Sequence, residues 1–153
     1  MDERFETFTV LIADIARSIY KIKTAEMSEF DLKGSHVSCL YYLFTKGELT
    51  AKELCGLCGE DKANISRSLA FLEEGGYLTC VTPAAKRYHS PMRLTAKGRE
   101  VGRRIAEKVD RILALAGEGM SEEDRAVMYR CLALVGSNLQ KICGGYAAKS
   151  EDD

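Results

Sequence analysis

The sequence predicts a mainly α fold with one small β-hairpin, a helix-turn-helix at its centre and long helices at both ends. Three observations predict it. Apolar residues recur at helical spacing near both ends; a short helix, a glycine-containing turn and a second helix occupy the middle; and a strand, a cation-bearing loop and a second strand follow directly. At the N-terminal end, Phe5, Phe8, Ile12, Ile15, Ile19 and Ile22 are spaced 3, 4, 3, 4 and 3 apart, a heptad-like seam on a helix. Such a seam must face something apolar.

Further along, Val37, Leu40, Tyr41 and Phe44 give a helical apolar face that stops at Lys46-Gly47, where Gly47 suits the left-handed position after a helix. Thr50-Ala51-Lys52-Glu53 is a capping-box pattern that opens a short helix through Leu54 and Leu57. Cys58-Gly59-Glu60-Asp61 supplies a turn, and Asp61 can cap a helix that buries Ile65, Leu69 and Leu72 and ends at Gly75-Gly76. A short helix, a turn and a helix of about 12 residues make a helix-turn-helix signature. The face expected outward on the second helix holds Lys62, Asn64, Ser66, Arg67 and Ser68. These donors suit DNA: Arg or Lys reach guanine edges, Asn bridges adenine, and Ser reaches bases or phosphates. An ordinary solvated helix face has the same composition.

Tyr77 to Val81 reads as a strand, Pro83-Ala84-Ala85-Lys86-Arg87 as a loop, and Tyr88 to Leu94 as a returning strand interrupted by Pro91. A helix then starts after Thr95 and runs through Val101, Ile105, Val109 and Ile112 towards Gly117. The last helix, with Ser121 as N-cap and Glu122, Glu123 and Asp124 in its first turn, carries Met128, Leu132, Val135, Leu139, Ile142 and Tyr146 at spacings of 4, 3, 4, 3 and 4. Two long seams at opposite ends of a short chain point to a helical dimerisation layer, with an intramolecular bundle as the alternative.

Composition bounds these readings. The chain has 153 residues, 46% apolar and 29% charged, with two Pro and no Trp, which favours one globular unit and excludes disordered and collagen-like classes. The N-terminus opens Met1-Asp2-Glu3-Arg4 and the longest charge-free stretches are short. Neither a signal peptide nor a membrane span is expected, and the expected location is the cytoplasm. The net charge of −1 conceals an asymmetry. Residues 77–104 carry seven basic groups (Lys86, Arg87, Arg93, Lys97, Arg99, Arg103 and Arg104) against the single Glu100, whereas residues 1–31 and 105–153 are each acidic by three charges. That block reads either as a solvated face or as a nucleic-acid footprint.

These residues resemble the MarR family of winged helix-turn-helix transcriptional regulators over nearly the whole chain. The resemblance rests on Gly47-Glu48-Leu49-Thr50-Ala51-Lys52-Glu53-Leu54, on Asp61 to Leu69 with Leu72-Glu73 and Gly76-Tyr77, and on Arg93 to Glu100. It implies a single unit over 1–153, with 1–31 and 105–147 as the dimerisation layer and 32–104 as the winged DNA-binding region. It implies a homodimeric regulator of double-stranded DNA, a repressor on a pseudo-palindromic operator, with Lys62, Asn64, Ser66 and Arg67 on the recognition helix and Lys86 and Arg87 on the wing. His89 and Arg93 become candidate phosphate neighbours. The family carries an acidic residue just before the wing pair, and here Ala84-Ala85 stand there. Many members bind small aromatic ligands in a cleft, for which Tyr20, His36, Tyr41 and Tyr42 are the candidate lining residues.

Six cysteines in a cytosolic chain need not pair. Cys55 and Cys58 form a Cys-x-x-Cys pair without the further ligands a zinc site needs, so no metal or cofactor is expected. Cys39, Cys80, Cys131 and Cys143 read as buried filler, and His36 and His89 as surface or turn residues outside the cleft reading. The family's peroxide sensors use a cysteine near the start of the first helix, and none precedes Cys39. A sensor built on Cys55, Cys58 or Cys80 stays open as an alternative, as does a winged-helix module that binds protein. No phosphate loop, carboxylate pair or nucleophile elbow marks an enzyme.

Overall fold

The computed structural model describes residues 4, 6–82 and 89–150, the side chains of 147–150 excepted. Phe5 and the loop Pro83 to Arg87 with Tyr88, including the wing candidates Lys86 and Arg87, lie outside the described residues. The N-terminal seam begins as a π-helical stretch, Glu6–Leu11, and continues as α1, Ile12–Met27. A 3-10 turn, Ser28–Phe30, leads through Asp31 at φ 51 to α2, Gly34–Lys46, α3, Ala51–Cys58, and α4, Lys62–Glu74. The hairpin follows as β1, Leu78–Cys80, and β2, Met92–Leu94, and the chain closes with α5, Ala96–Ala116, and α6, Glu122–Ser150. Among the described residues no helix is long and apolar enough to cross a membrane.

Local chemistry accounts for these boundaries. Gly47 ends α2 at φ 89 and ψ −146, a positive-φ conformation outside the left-handed helical well expected there, and one equally closed to residues with a Cβ. At α3 the Thr50 hydroxyl accepts from Glu53 N at 3.2 Å while Glu53 accepts from Thr50 N at 2.8 Å, the reciprocal capping box. Those donors hold the Glu53 carboxyl below the ordinary carboxylate range. Asp61 caps α4 by accepting from Asn64 N at 2.7 Å. Gly59, at φ 65, makes the turn between the two helices.

The strands are shorter than the sequence suggests. Leu78 pairs with Leu94, Thr79 with Arg93 and Cys80 with Met92 in an antiparallel ladder. Pro91 supplies no donor of its own, and its carbonyl accepts from Val81 N at 2.9 Å. A bridge adds Leu49 to the far side of β2: Met92 N donates to Leu49 O at 2.8 Å and Leu49 N to Met92 O at 3.3 Å.

The chain divides into two compact units, 1–110 and 111–153. The first has a core in which Leu40, Leu54, Ile65, Leu72, Leu78 and Ile105 are fully buried. Its N-terminal seam is not covered: Phe8 of the π-helical stretch and Ile12, Ile15, Ile19 and Ile22 of α1 remain exposed. In the second unit Ser121 caps α6, accepting from Asp124 N at 3.1 Å. Leu132, Leu139, Ile142 and Tyr146 of the α6 seam are exposed, with Met128 and Val135 half-buried. Cys131 and Cys143 are exposed as well, correcting their reading as buried filler, because each lies beside the seam on a helix whose apolar residues are not enclosed.

One close approach locks the first unit. A Cβ at Gly98 would lie 1.8 Å from Tyr77 O, and one at Gly102 would lie 2.8 Å from the Phe44 Cβ. The two glycines, four apart, bring α5 against α2 and against the turn after α4. Gly98→Ala should destabilise the protein by about 1–3 kcal/mol or more through overpacking. Gly56→Ala in α3, where nothing lies within 4 Å of the added carbon, should be neutral or should stabilise by up to about 1 kcal/mol. Urea denaturation of the two variants reads the contrast.

Candidate nucleic-acid interface

The helix-turn-helix sorts the predicted site residues into three groups. On α4, Ile65, Leu69 and Leu72 face the core, so the opposite edge faces outward. Lys62, Ser66 and Arg67 are exposed there. Ser68 is not: it is 2% exposed and donates to Ser35 Oγ at 2.9 Å. It falls three residues after Ile65, on the buried side of the helical repeat, and its hydroxyl fastens α4 to α2. Asn64 is half-buried and its side-chain amide donates to the Glu60 carboxylate one turn earlier. One of its amide hydrogens is thereby committed to Glu60.

The basic block is substantially paired. Arg93 donates from Nε to Glu48 Oε1 at 2.6 Å, because the Leu49 to Met92 bridge places the preceding Glu48 beside Arg93. Arg103 is held between Glu100 and Glu107, which push its guanidinium upward in pKa, and Arg103 in turn, helped by Arg104, keeps the Glu100 carboxyl low. Arg104 pairs with Glu29 at 2.9 Å, and Lys108 reaches both Glu29 at 2.8 Å and Glu26 at 3.2 Å, tying α5 to the end of α1. Lys97 Nζ donates to Gly75 O at 2.8 Å and sits 4.2 Å above the Tyr77 ring, and Arg99 Nη1 donates to Leu94 O at 3.0 Å. The sequence count of +6 therefore overstates the charge offered to a phosphate backbone. Exposed pairs of this kind contribute little to stability, but each reduces the local field.

The candidate ligand-cleft residues differ in exposure. Tyr20 is 72% exposed on α1. His36 is 6% exposed, against the expectation of a surface residue, because its ring stacks on Phe71 of α4 at 4.2 Å while Nδ1 accepts from Lys33 N at 3.2 Å. Tyr41 and Tyr42, both half-buried, meet edge to face at 5.3 Å. Burial and the neighbouring Cys58 raise the Tyr42 phenol. A separate open depression of about 230 Å³ is lined by Leu43, Phe44, Gly47, Glu48, Arg93, Leu94 and Arg99. Among the described residues no group of three or more His, Cys, Asp or Glu side chains could hold a metal ion.

Sequence reasoning missed Glu48 and Glu60 as the acids that hold Arg93 and Asn64, and Phe71 as the partner of His36. The Glu60 and Asn64 spacing of four residues was a visible signal. The other two contacts join residues remote in sequence.

Solved structures share this fold. A MarR family regulator from Neisseria meningitidis superposes with a TM-score of 0.79 at 16% identity, covering 92% of this chain and 96% of that one. The fold is that of the MarR regulators. A MarR family transcriptional regulator from Listeria monocytogenes, complexed with a 26mer DNA, matches at a TM-score of 0.73 and 21% identity over 84% of this chain and 85% of its own. Staphylococcus aureus MarR, in complex with salicylate and kanamycin, matches at 0.67 and 16% identity over 89% and 97%. The sequence itself matches no family model and no curated protein, so the likeness to MarR structures is one of fold.

Burial, followed by the Lys33 cation, lowers the His36 pKa below its ordinary 6.5. The unfolded chain then binds this proton more readily than the folded one, so stability should fall as pH drops below about 6.5 through the folded value. Denaturation curves at pH 7.5 and 5 should show that loss, and His36→Gln should flatten the slope.

Proposed function

We propose that this chain is a MarR-family regulator that binds double-stranded DNA as a homodimer in the cytoplasm. The observation that carries the reading is the outward edge of α4. Lys62, Ser66 and Arg67 lie exposed on a helix held by its buried face within a capped helix-turn-helix, and the same fold occurs in a MarR regulator complexed with DNA. Arg67 supplies the bidentate donor suited to guanine, Lys62 and Ser66 flank it, and Asn64 joins them. Arg93 takes the role of a phosphate contact by exchanging Glu48 for a phosphate oxygen, and Lys86 and Arg87 extend the same role to the wing tip.

The exposed apolar seams of α1 and α6 support the homodimer. Isolated exposed apolar side chains are common on monomers, but sustained runs along two helices form the kind of patch that marks an interface. A two-fold dimer presents two copies of α4 to successive major-groove segments, which requires a near-palindromic operator with half-sites about one helical turn apart. Occupancy of such a site blocks polymerase, so repression is the proposed mode. Release by a small aromatic effector is drawn from the salicylate-bound neighbour, with Tyr20, His36, Tyr41 and Tyr42 as the residues to test. A protein-binding module is the weaker reading because charged and hydroxyl donors, rather than aromatic anchors, occupy the outward N-terminal half of α4.

Selection from a random duplex pool at physiological salt should recover a two-fold-symmetric motif; failure to enrich any sequence would reject the proposal. On that motif Arg67→Ala should weaken specific binding by about 1–3 kcal/mol while leaving binding to scrambled DNA much less affected. Equal losses on both duplexes would remove Arg67 from base readout.

A further inference from the structure

Asn64, in the first turn of α4, is held through both of its nitrogens by the segment that precedes the helix. Asp61 accepts from the backbone N–H at 2.7 Å, and the Glu60 carboxylate accepts from Nδ2. Glu60 is itself anchored: it follows Gly59, whose φ of 65 turns the chain out of α3, and its N–H donates to Cys55 O at 3.3 Å. Both Glu60 and Asn64 are half-buried. We propose that Glu60 is a positioning residue for base readout, locking the Asn64 amide in the one of its two orientations that reads adenine.

A side-chain amide can meet DNA in two ways, because half a turn about its last bond exchanges the carbonyl oxygen and the nitrogen. Glu60 decides between them. A carboxylate only accepts, so Glu60 is satisfied by Nδ2 and Oδ1 must point away from it. Nδ2 carries two hydrogens and Glu60 takes one. Oδ1 as an acceptor and the second Nδ2 hydrogen as a donor are left for DNA. That pair matches adenine, whose major-groove edge sets the N6 donor beside the N7 acceptor. The reversed amide would place its nitrogen against N6, donor facing donor, and would suit an acceptor such as thymine O4 or guanine O6 instead.

The role rests on the proposed function, since it needs the N-terminal half of α4 in the major groove. Two effects of Glu60 then have opposite signs. Its negative charge repels the phosphates of every sequence alike. Its hydrogen bond orders the Asn64 side chain before DNA arrives, so binding does not bear that ordering, and discrimination at one base pair improves. A residue that merely supported the fold would weaken binding to all sequences when removed.

Two measurements on the full chain test this. By nitrogen-edited NMR of the free protein, one Asn64 Nδ2 hydrogen should be protected from exchange with water. Glu60→Ala should abolish that protection, and Glu60→Gln, whose side-chain carbonyl accepts the same hydrogen, should retain it. On duplexes varied base by base around the selected motif, the unmodified protein should prefer adenine at one position of each half-site. Asn64→Ala, which keeps the backbone N–H that Asp61 caps, should reduce that preference by at least about fivefold. Glu60→Ala should reduce it as much, at that position alone, while binding other duplexes no less tightly; Glu60→Gln should preserve it. In the Asn64→Ala background, Glu60→Ala should change nothing further there.

Losses spread over every position, Glu60→Gln as damaging as Glu60→Ala, or no adenine preference that depends on Asn64 would overturn the positioning role. An unprotected Asn64 amide overturns the lock whatever the DNA result. Enrichment of no sequence by the unmodified protein overturns the DNA reading and the readout role with it, while the exchange measurement still decides whether Glu60 holds the amide.

Discussion

The first unit depends on the contact between Gly98 and the Tyr77 carbonyl. With hydrogen in place of a methyl, the first turn of α5 lies directly on the turn that follows α4, and three polar links complete the joint. Thr95 N donates to Tyr77 O at 3.0 Å, the Thr95 hydroxyl to Gly76 O at 2.6 Å, and Lys97 to Gly75 O at 2.8 Å. The end of the candidate recognition helix, the base of the hairpin and the start of α5 are thus one rigid junction. The position of α4 is fixed from behind at its C-terminal end and by the Thr50 and Asp61 caps at the other. Such rigid support is what a base-reading edge needs, since its donors act only when held within a fraction of an ångström.

Much of this was legible in the sequence, and the physical reason is locality. Capping boxes, glycine turns and helical apolar repeats are set by residues within about four positions of one another, so Thr50, Asp61, Gly59 and the buried edge Ile65, Leu69 and Leu72 could be read directly. The limit came where one residue serves two periods. Ser68 has the composition of a DNA donor, yet lies one turn after Ile65 and so faces inward, where Ser35 receives it. Polarity suggested one face and helical phase dictated the other.

Pairings between distant segments were not legible. The Leu49 to Met92 bridge brings Glu48 to Arg93, the closure of α1 on α5 brings Glu26 and Glu29 to Arg104 and Lys108, and the packing of α4 on α2 stacks Phe71 on His36. Each joins residues more than thirty positions apart.

The acid-paired arginines have a consequence at the scale of a chromosome. A regulator must find one operator among about 10⁶–10⁹ competing positions, and every unpaired cation increases its occupancy of all of them alike. For the regulator proposed above, Glu48, Glu29, Glu100 and Glu107 act as intramolecular counterions that a matched site must displace or leave in place. Weak general attraction then keeps the free protein mobile, and residence time is decided by the few groups that meet a matching sequence.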